Sequence, residues 1–396
     1  MQGSLAFPSA SSSTHSSMKG RGNVLHMSSA ITQASSKAIL QLLSTCSIGV
    51  YASKRGILDK GALSALSKLV FNIFQPCLLF VSVSSTVSAS IASGSTGALE
   101  LLPFLALVQI TIGYTMGKLL SLVFYRKNPN IEASRFLRAC TTFGNSGPLP
   151  YVFVDALFRG HPNPTLLPRS VAYISMYLLG WSPLFWILGP YLLSKNKGVA
   201  ATSAAGRAQE RKQLLQRILS PPILGSLAGL AAGATPAVMK LLQSGGILSP
   251  VYDGMRTLGA GYLPAVLLIL SGSLMPQPPS SDEAGKEDAS EKFDPKTIMK
   301  EVTAICCARF LVMPVIGAAL MKLPFLSKAV GDPLLMFVLL LETCMPSAQN
   351  LTVILQLQGD RFAAGRMARL LLLVYMLGIP AINFWLTRIL RITKLL

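Results

Sequence analysis

Phe143-Gly144-Asn145-Ser146-Gly147-Pro148-Leu149-Pro150 and Cys344-Met345-Pro346-Ser347-Ala348-Gln349-Asn350 interrupt two apolar segments at their midpoints. Each segment is long enough to cross a bilayer, and the two lie in corresponding positions of the two halves of the chain. Backbone that leaves helical geometry inside lipid must satisfy its N–H and C=O groups within protein or in a wet cavity. Paired interruptions of this kind mark the midplane binding site of secondary transporters. The chain reads as a carrier.

Composition agrees. Hydrophobic residues make up 51% of the 396, and only 13% are charged, with mean hydropathy +0.52. A soluble domain averages about 25% charged residues. The net charge of +19 invites a nucleic-acid reading, but the basic residues fall between apolar spans and form no single face with interleaved aromatics. Lys and Arg gather in such loops to orient membrane helices. The partners expected are the lipid bilayer and a small organic anion, with no nucleic acid.

Ten spans near the ~20 residues needed to cross the hydrocarbon core are expected, at about 37–53, 63–87, 99–125, 134–158, 170–194, 214–234, 256–276, 297–321, 333–357 and 366–390. The loops after the odd-numbered spans carry most of the 35 Lys and Arg residues, which places them in the cytosol and both termini on the far side. Residues 1–36 are Ser-rich and free of acids. They read equally as an organellar transit peptide or as a disordered, uncleaved tail. A basic linker spans 195–213, and a mobile polar loop, Pro/Ser-rich and then acidic, spans 276–296; both read as solvated connectors. Phe74-Gln75-Pro76-Cys77-Leu78-Leu79 in the second span aligns with Tyr262-Leu263-Pro264-Ala265-Val266-Leu267 in the seventh, at an offset close to that between the two breaks. The chain therefore divides into five-helix repeats at 37–194 and 214–396. Five being odd, the second enters the membrane inverted.

At each break Pro removes a donor and Gly frees the turn, so two half-helices should meet near the membrane centre. A half-helix N-terminus carries about half a positive charge and attracts anions. Asn145, Gln349 and Asn350 add neutral donors and acceptors. The candidate substrate-binding set is Gly144, Asn145, Gly147, Pro148, Pro150, Pro346, Gln349 and Asn350. Lys118, Arg309 and Glu342 lie inside spans, where each costs about 2.5–3.5 kcal/mol at a helix centre unless it pairs or snorkels. Lys118 and Arg309 occupy corresponding spans. Glu342 stands about 12 Å before Asn350 along a continuous helix. A proton or cation relay and a structural ion pair both fit these three.

Enzyme signatures are absent. Gly113-Tyr114-Thr115-Met116-Gly117-Lys118 is one residue short of a phosphate loop and lies in a span; its two glycines read as a close helix crossing. His15, His26 and His161 form no metal motif or triad, and the six cysteines have neither C-x-x-C spacing nor His partners. They read as small buried hydrophobes. No metal or cofactor is expected.

Lys68-Leu69-Val70-Phe71-Asn72-Ile73-Phe74-Gln75-Pro76-Cys77-Leu78-Leu79-Phe80 resembles the second span of the auxin efflux carrier family, which comprises the PIN-formed and PIN-LIKES proteins. Phe143-Gly144-Asn145-Ser146-Gly147 resembles its fourth-span break. Ser220-Pro221-Pro222, Arg309 with Pro314 and Gly317, and Pro346-Ser347-Ala348-Gln349-Asn350 are similar to later family signatures. The resemblance runs from about residue 38 to the end of the chain. It implies an all-α, ten-helix 5+5 inverted repeat, similar to bile-acid symporters and antiporters, with spans four and nine crossed. It also implies uniport-like or weakly coupled movement of organic acids such as indole-3-acetate. A scaffold of spans one, two, six and seven would carry the homodimer contact. An endomembrane address, the endoplasmic reticulum foremost, follows from the short PIN-LIKES-type linker, while the N-terminal tail points to a plastid envelope. The chain departs from the family where Pro148-Leu149-Pro150 replaces an Asn before Leu-Pro, so one amide is lost.

The expected function is alternating-access transport of small organic acid anions. Its rivals are a sodium- or proton-coupled carboxylate or bile-acid-type symporter, with Glu342 as coupling acid, and a non-transporting membrane sensor.

Overall fold

A computed structural model describes residue 40 and residues 44–93, 99–126, 131–159, 161–194, 219–273 and 295–395. The N-terminal tail, the 195–213 linker and the 276–294 part of the polar loop lie outside the described residues. The described residues are helical apart from short connections. In chain order they form α1 (44–54), α2 (Lys60–Leu69), α3 (Gln75–Ser93), α4 (Leu101–Phe124), α5 (Glu132–Thr142), α6 (Pro148–Phe158) and α7 (Leu166–Leu193). Then follow α8 (Pro221–Ala234), α9 (Pro236–Leu242), α10 (Ser249–Ala260), α11 (Tyr262–Ser273), α12 (Pro295–Cys306), α13 (Met313–Leu320), α14 (Pro324–Ala329), α15 (Pro333–Thr343), α16 (Asn350–Leu357) and α17 (Arg361–Thr393).

Among the described residues, six continuous helices are long and apolar enough to cross a membrane: Lys60–Ala92, Leu101–Phe124, Leu166–Leu193, Ser249–Ser273, Thr297–Leu320 and Phe362–Thr393. The pair Pro221–Ala234 and Pro236–Leu242, bent by 106°, would make a seventh. The chain is an all-α, multi-pass membrane protein. Phe104, Val123, Leu311, Leu377 and Phe384 project from these helices as exposed large apolar side chains, which water would disfavour and lipid does not.

Two of the long helices widen locally. Val70–Phe74 and Cys307–Val312 are π-helical, and each precedes a proline near the start of the next α-helix, Pro76 and Pro314. A proline offers no N–H to the carbonyl one turn earlier. For Pro314 that carbonyl is Phe310 O, and the indole N–H of Trp385 takes the vacant place at 2.6 Å. The bulge around Arg309 is thus held from α17.

Two layers of contact position the site. α3 packs along α8 and α10, and α8 presents Gly225, Gly229 and Gly233 to the backbone of Pro76, Phe80 and Ser84. α4 packs on α5 and α7. There Gly113 and Gly117 meet α5 so closely that a Cβ at Gly113 would stand 2.6 Å from Thr141 O, and one at Gly117 3.1 Å from Arg138 Cα. The glycine pair is therefore a helix crossing, as its spacing suggested. That contact explains the weak hydrophobicity of α5. Its polar residues Glu132, Ser134, Arg135, Thr141 and Thr142 are all buried in protein, so lipid never meets them. Among the cysteines, Cys46, Cys140 and Cys344 are buried as expected; Cys77 and Cys306 are half-buried, and Cys307 is exposed on the outer face of its bulge.

Gly113→Ala should push α5 off α4 and cost roughly 1–3 kcal/mol, the range for overpacking a tight core. Thermal unfolding of the detergent-solubilised protein checks this, and an unchanged midpoint would show that the crossing can relax.

Candidate transport site at a helix crossover

α5 ends at Thr142 and α6 begins at Pro148; α15 ends at Thr343 and α16 begins at Asn350. The connecting strands run past each other in opposite directions. Asn145 N donates to Pro346 O at 2.7 Å and Ala348 N to Phe143 O at 2.9 Å, an isolated antiparallel bridge centred on Gly144 and Ser347. Each break thus satisfies backbone groups the other leaves open. Side chains take up further carbonyls. Ser347 Oγ donates to Cys140 O at 2.8 Å, near the end of α5. Arg309 donates to Met345 O from Nε at 3.0 Å and from Nη2 at 2.7 Å.

Gly144 makes this arginine possible. A Cβ there would stand 1.9 Å from Arg309 Nη2, so only glycine lets the guanidinium lie against the first break while it binds the second. The bulge at Cys307–Val312 carries Arg309 into that position, a use in keeping with the occurrence of π-bulges at functional sites.

Two amide–phenol pairs tie the crossing to the surrounding helices. Asn145 Nδ2 donates to Tyr375 OH at 2.7 Å, and Tyr375 OH donates to Ser347 O at 3.1 Å. Asn350 Nδ2 donates to Tyr262 OH. One phenol comes from α17 and the other from the start of α11.

A cavity opens beside the crossing. In it the centre of a water molecule can range over ≈ 20 Å³, room for a water or two. Gln75, Leu78 and Leu79 of α3 and Tyr262 form one wall; Leu178, Trp181 and Ser182 of α7 form another; residues 145–147 and 348–350 form the floor. Gln75 Oε1, Ser182 Oγ, Asn350 Oδ1 and both polar atoms of the Gln349 amide are buried and take no hydrogen bond. Unpaired buried polar atoms are uncommon and need an explanation, and here four residues direct them at one cavity. The N-termini of α6 and α16 open at the same place without a side-chain cap. They differ as donors: Pro148 and Pro150 have no N–H, so α6 offers fewer free backbone donors than its residue count implies.

The sequence-derived set is largely brought together. Asn145, Gly147, Gln349 and Asn350 line the cavity, Gly144 and Pro346 form the bridge, and Pro148 and Pro150 open α6. Arg309 and Glu342 are buried near it, at 1% and 0% exposure. They do not form the expected ion pair by hydrogen bonds. The second break leaves a carbonyl that needs a donor, and Arg309 supplies it. Neither carboxylate oxygen of Glu342 has a hydrogen-bond partner in good geometry, although the Ser146 hydroxyl lies close enough to act on it by hydrogen bonding and Arg309 by its charge. Lys118 is exposed on α4 and does not share the place of Arg309. Sequence reasoning missed Gln75, Trp181, Ser182, Tyr262 and Tyr375. Gln75 and Tyr262 had a signal, because they flank the prolines of the internal repeat. No group of His, Cys, Asp and Glu able to hold a metal occurs among the described residues.

The family described as "Membrane transport protein" matches residues 34–386. Protein PIN-LIKES 1 of Arabidopsis thaliana is 24% identical over 364 residues, covering 82% of this chain and 73% of its own. Protein PIN-LIKES 3 of the same plant is 22% identical over 394 residues, covering 89% and 95%. An uncharacterized transporter of Saccharomyces cerevisiae is 22% identical over 422 residues, covering 87% and 92%.

Gly144→Ala should expel Arg309 from Met345 O and destabilise the protein by about 1–3 kcal/mol. Gly144→Ala/Arg309→Ala should then be no less stable than Arg309→Ala alone. Unfolding midpoints of the four proteins form the double-mutant cycle, and additive losses would show that the two residues do not meet.

Proposed function

The chain belongs to the membrane transport protein family, that of the auxin efflux carriers, and on that premise we propose that it moves small organic acid anions through the crossover by alternating access. The observation that carries this reading is the convergence of unpaired amide and hydroxyl groups with two uncapped half-helix N-termini on one cavity. The unpaired donors, Gln349 Nε2 and Ser182 Oγ, together with helix-end partial charges, would hold a carboxylate without a fixed counter-ion. Leu78, Leu79, Leu178 and Trp181 suit an apolar, aromatic body. Auxin-like acids such as indole-3-acetate are therefore the leading substrates.

In this reading the ten helical segments, the two broken ones included, act as two inverted five-helix repeats. α5/α6 and α15/α16 move as one unit, because their shared bridge keeps their backbone satisfied in lipid. The cavity is too small for an indole acid as it stands. Loading then requires the crossover unit to draw away from the α3 and α11 wall, which parts Asn350 from Tyr262. The address is an endomembrane, and the mode is a homodimer joined through the α3 layer.

The test is uptake into proteoliposomes of radiolabelled indole-3-acetate, a dicarboxylate and a bile acid, with and without sodium and pH gradients. Wild-type protein should accumulate an organic acid. Gln349→Ala and Ser182→Ala remove the two unpaired donors of the cavity and should each lower the rate about tenfold, the loss of one hydrogen bond to a charged group at ~1.5 kcal/mol, while Lys118→Ala leaves it unchanged. Uptake of none of the three acids would overturn the proposal.

A further inference from the structure

Glu342 is an acidic side chain buried beside the crossover, and the contacts described above give it no task. It sits at the last turn of α15, wholly buried; neither oxygen has a hydrogen bond of good geometry, and the Ser146 hydroxyl is placed to donate to it weakly. Its nearest cation, Arg309, directs Nε and Nη2 to the Met345 carbonyl. The other groups that act on it are the Tyr151 hydroxyl from α6, the Tyr177 hydroxyl from α7, Ser146 in the first break and the Cys344 thiol on its own segment. Tyr151 is already paired with Ser175, and Tyr177 donates to Gln109 Oε1 at 2.7 Å. From α17, Tyr375 is engaged with Asn145 and Ser347. α13, packed against α15, has no titratable side chain between Met313 and Leu320.

A charged carboxylate held this way, with one hydroxyl nearby and no dedicated counter-ion, is costly in an apolar interior. Protonation removes that cost. Solvation by an open cavity, or release of Arg309 from Met345 O, removes it in the other direction. Both occur only if the crossover moves. We propose that Glu342 is a proton-carrying site that makes this protein a proton-coupled organic-anion carrier. The carboxylate takes one proton from the side to which the cavity opens, holds it as the carboxylic acid while the crossover is closed, and releases it on the opposite side. The inference rests on the carrier reading. It adds an ion to be moved and the residue that moves it, and it uses the position of Glu342 outside the cavity lining: a proton there tunes the moving unit without contacting the substrate.

Two measurements separate this proposal from the reading beneath it. Infrared difference spectra of the full-length protein in lipid bilayers, recorded across a pH titration, should contain the carbonyl band of a protonated carboxyl that is absent from Glu342→Gln. A wild-type spectrum without that band overturns the proposal whether or not any substrate is found. In proteoliposomes enclosing a pH-sensitive dye, indole-3-acetate should drive proton movement above the protein-free baseline through the wild type. Through Glu342→Gln, uptake should proceed at one rate with or without a pH gradient. Wild-type uptake that is indifferent to the gradient and moves no proton defeats the coupling and leaves the carrier intact. Absence of uptake defeats the carrier, and the infrared band then still decides whether Glu342 holds a proton.

Discussion

Two strands of unwound backbone, buried inside the protein, pair with each other. Everything else at the centre of this protein depends on that exchange. The bonds from Asn145 N to Pro346 O and from Ala348 N to Phe143 O pair four peptide groups of the two breaks, each of which would cost several kcal/mol unpaired in hydrocarbon. The breaks in turn open two helix N-termini toward one cavity. Arg309, Ser347 and Tyr375 then bind carbonyls that the bridge does not reach. Gly144 is the point at which these demands meet, since bridge and guanidinium occupy the space a side chain would need.

The polar cluster is unevenly balanced. Asn145 is spent on Tyr375, and its phenol on the Ser347 carbonyl; that side of the crossing is closed by its own bonds. On the other side Gln349, Asn350 and Gln75 keep unpaired atoms. The two prolines of α6 weaken its N-terminus as a donor, whereas α16 starts with an asparagine. Under the proposed function the second break, which holds the unpaired Gln349 Nε2, is the side an anion would meet, and the first is its frame.

Much of this arrangement was legible in the sequence because it is local. Gly, Pro and Asn clusters end helices by their own covalent geometry, so both breaks could be placed within a few residues. Gly113 and Gly117 announced a close crossing by spacing alone. What remained hidden depends on tertiary partners. Trp181 and Ser182 look like any residues of an apolar helix until α7 is seen beside the crossing. Lys118 and Arg309 seemed equivalent by position, yet one faces outward and the other inward, because a span's rotation about its axis is set by packing rather than by its length. The charge of Glu342 could be read from the chain. Its lack of a partner could not, because the competing claim of Met345 O on Arg309 arises only when the two breaks meet.

The most direct test of the central claim, that the crossover is where substrate binds, is site-directed thiol labelling in lipid. In a background with Cys46, Cys77, Cys140, Cys306, Cys307 and Cys344 replaced by serine or alanine, a single thiol is introduced by Ala348→Cys, Ser182→Cys or Tyr114→Cys. Saturating indole-3-acetate should slow maleimide labelling at the first two positions and leave the third, on the exposed face of α4, unaffected. Equal labelling with and without the acid at positions 348 and 182, in protein that transports it, would place the substrate elsewhere.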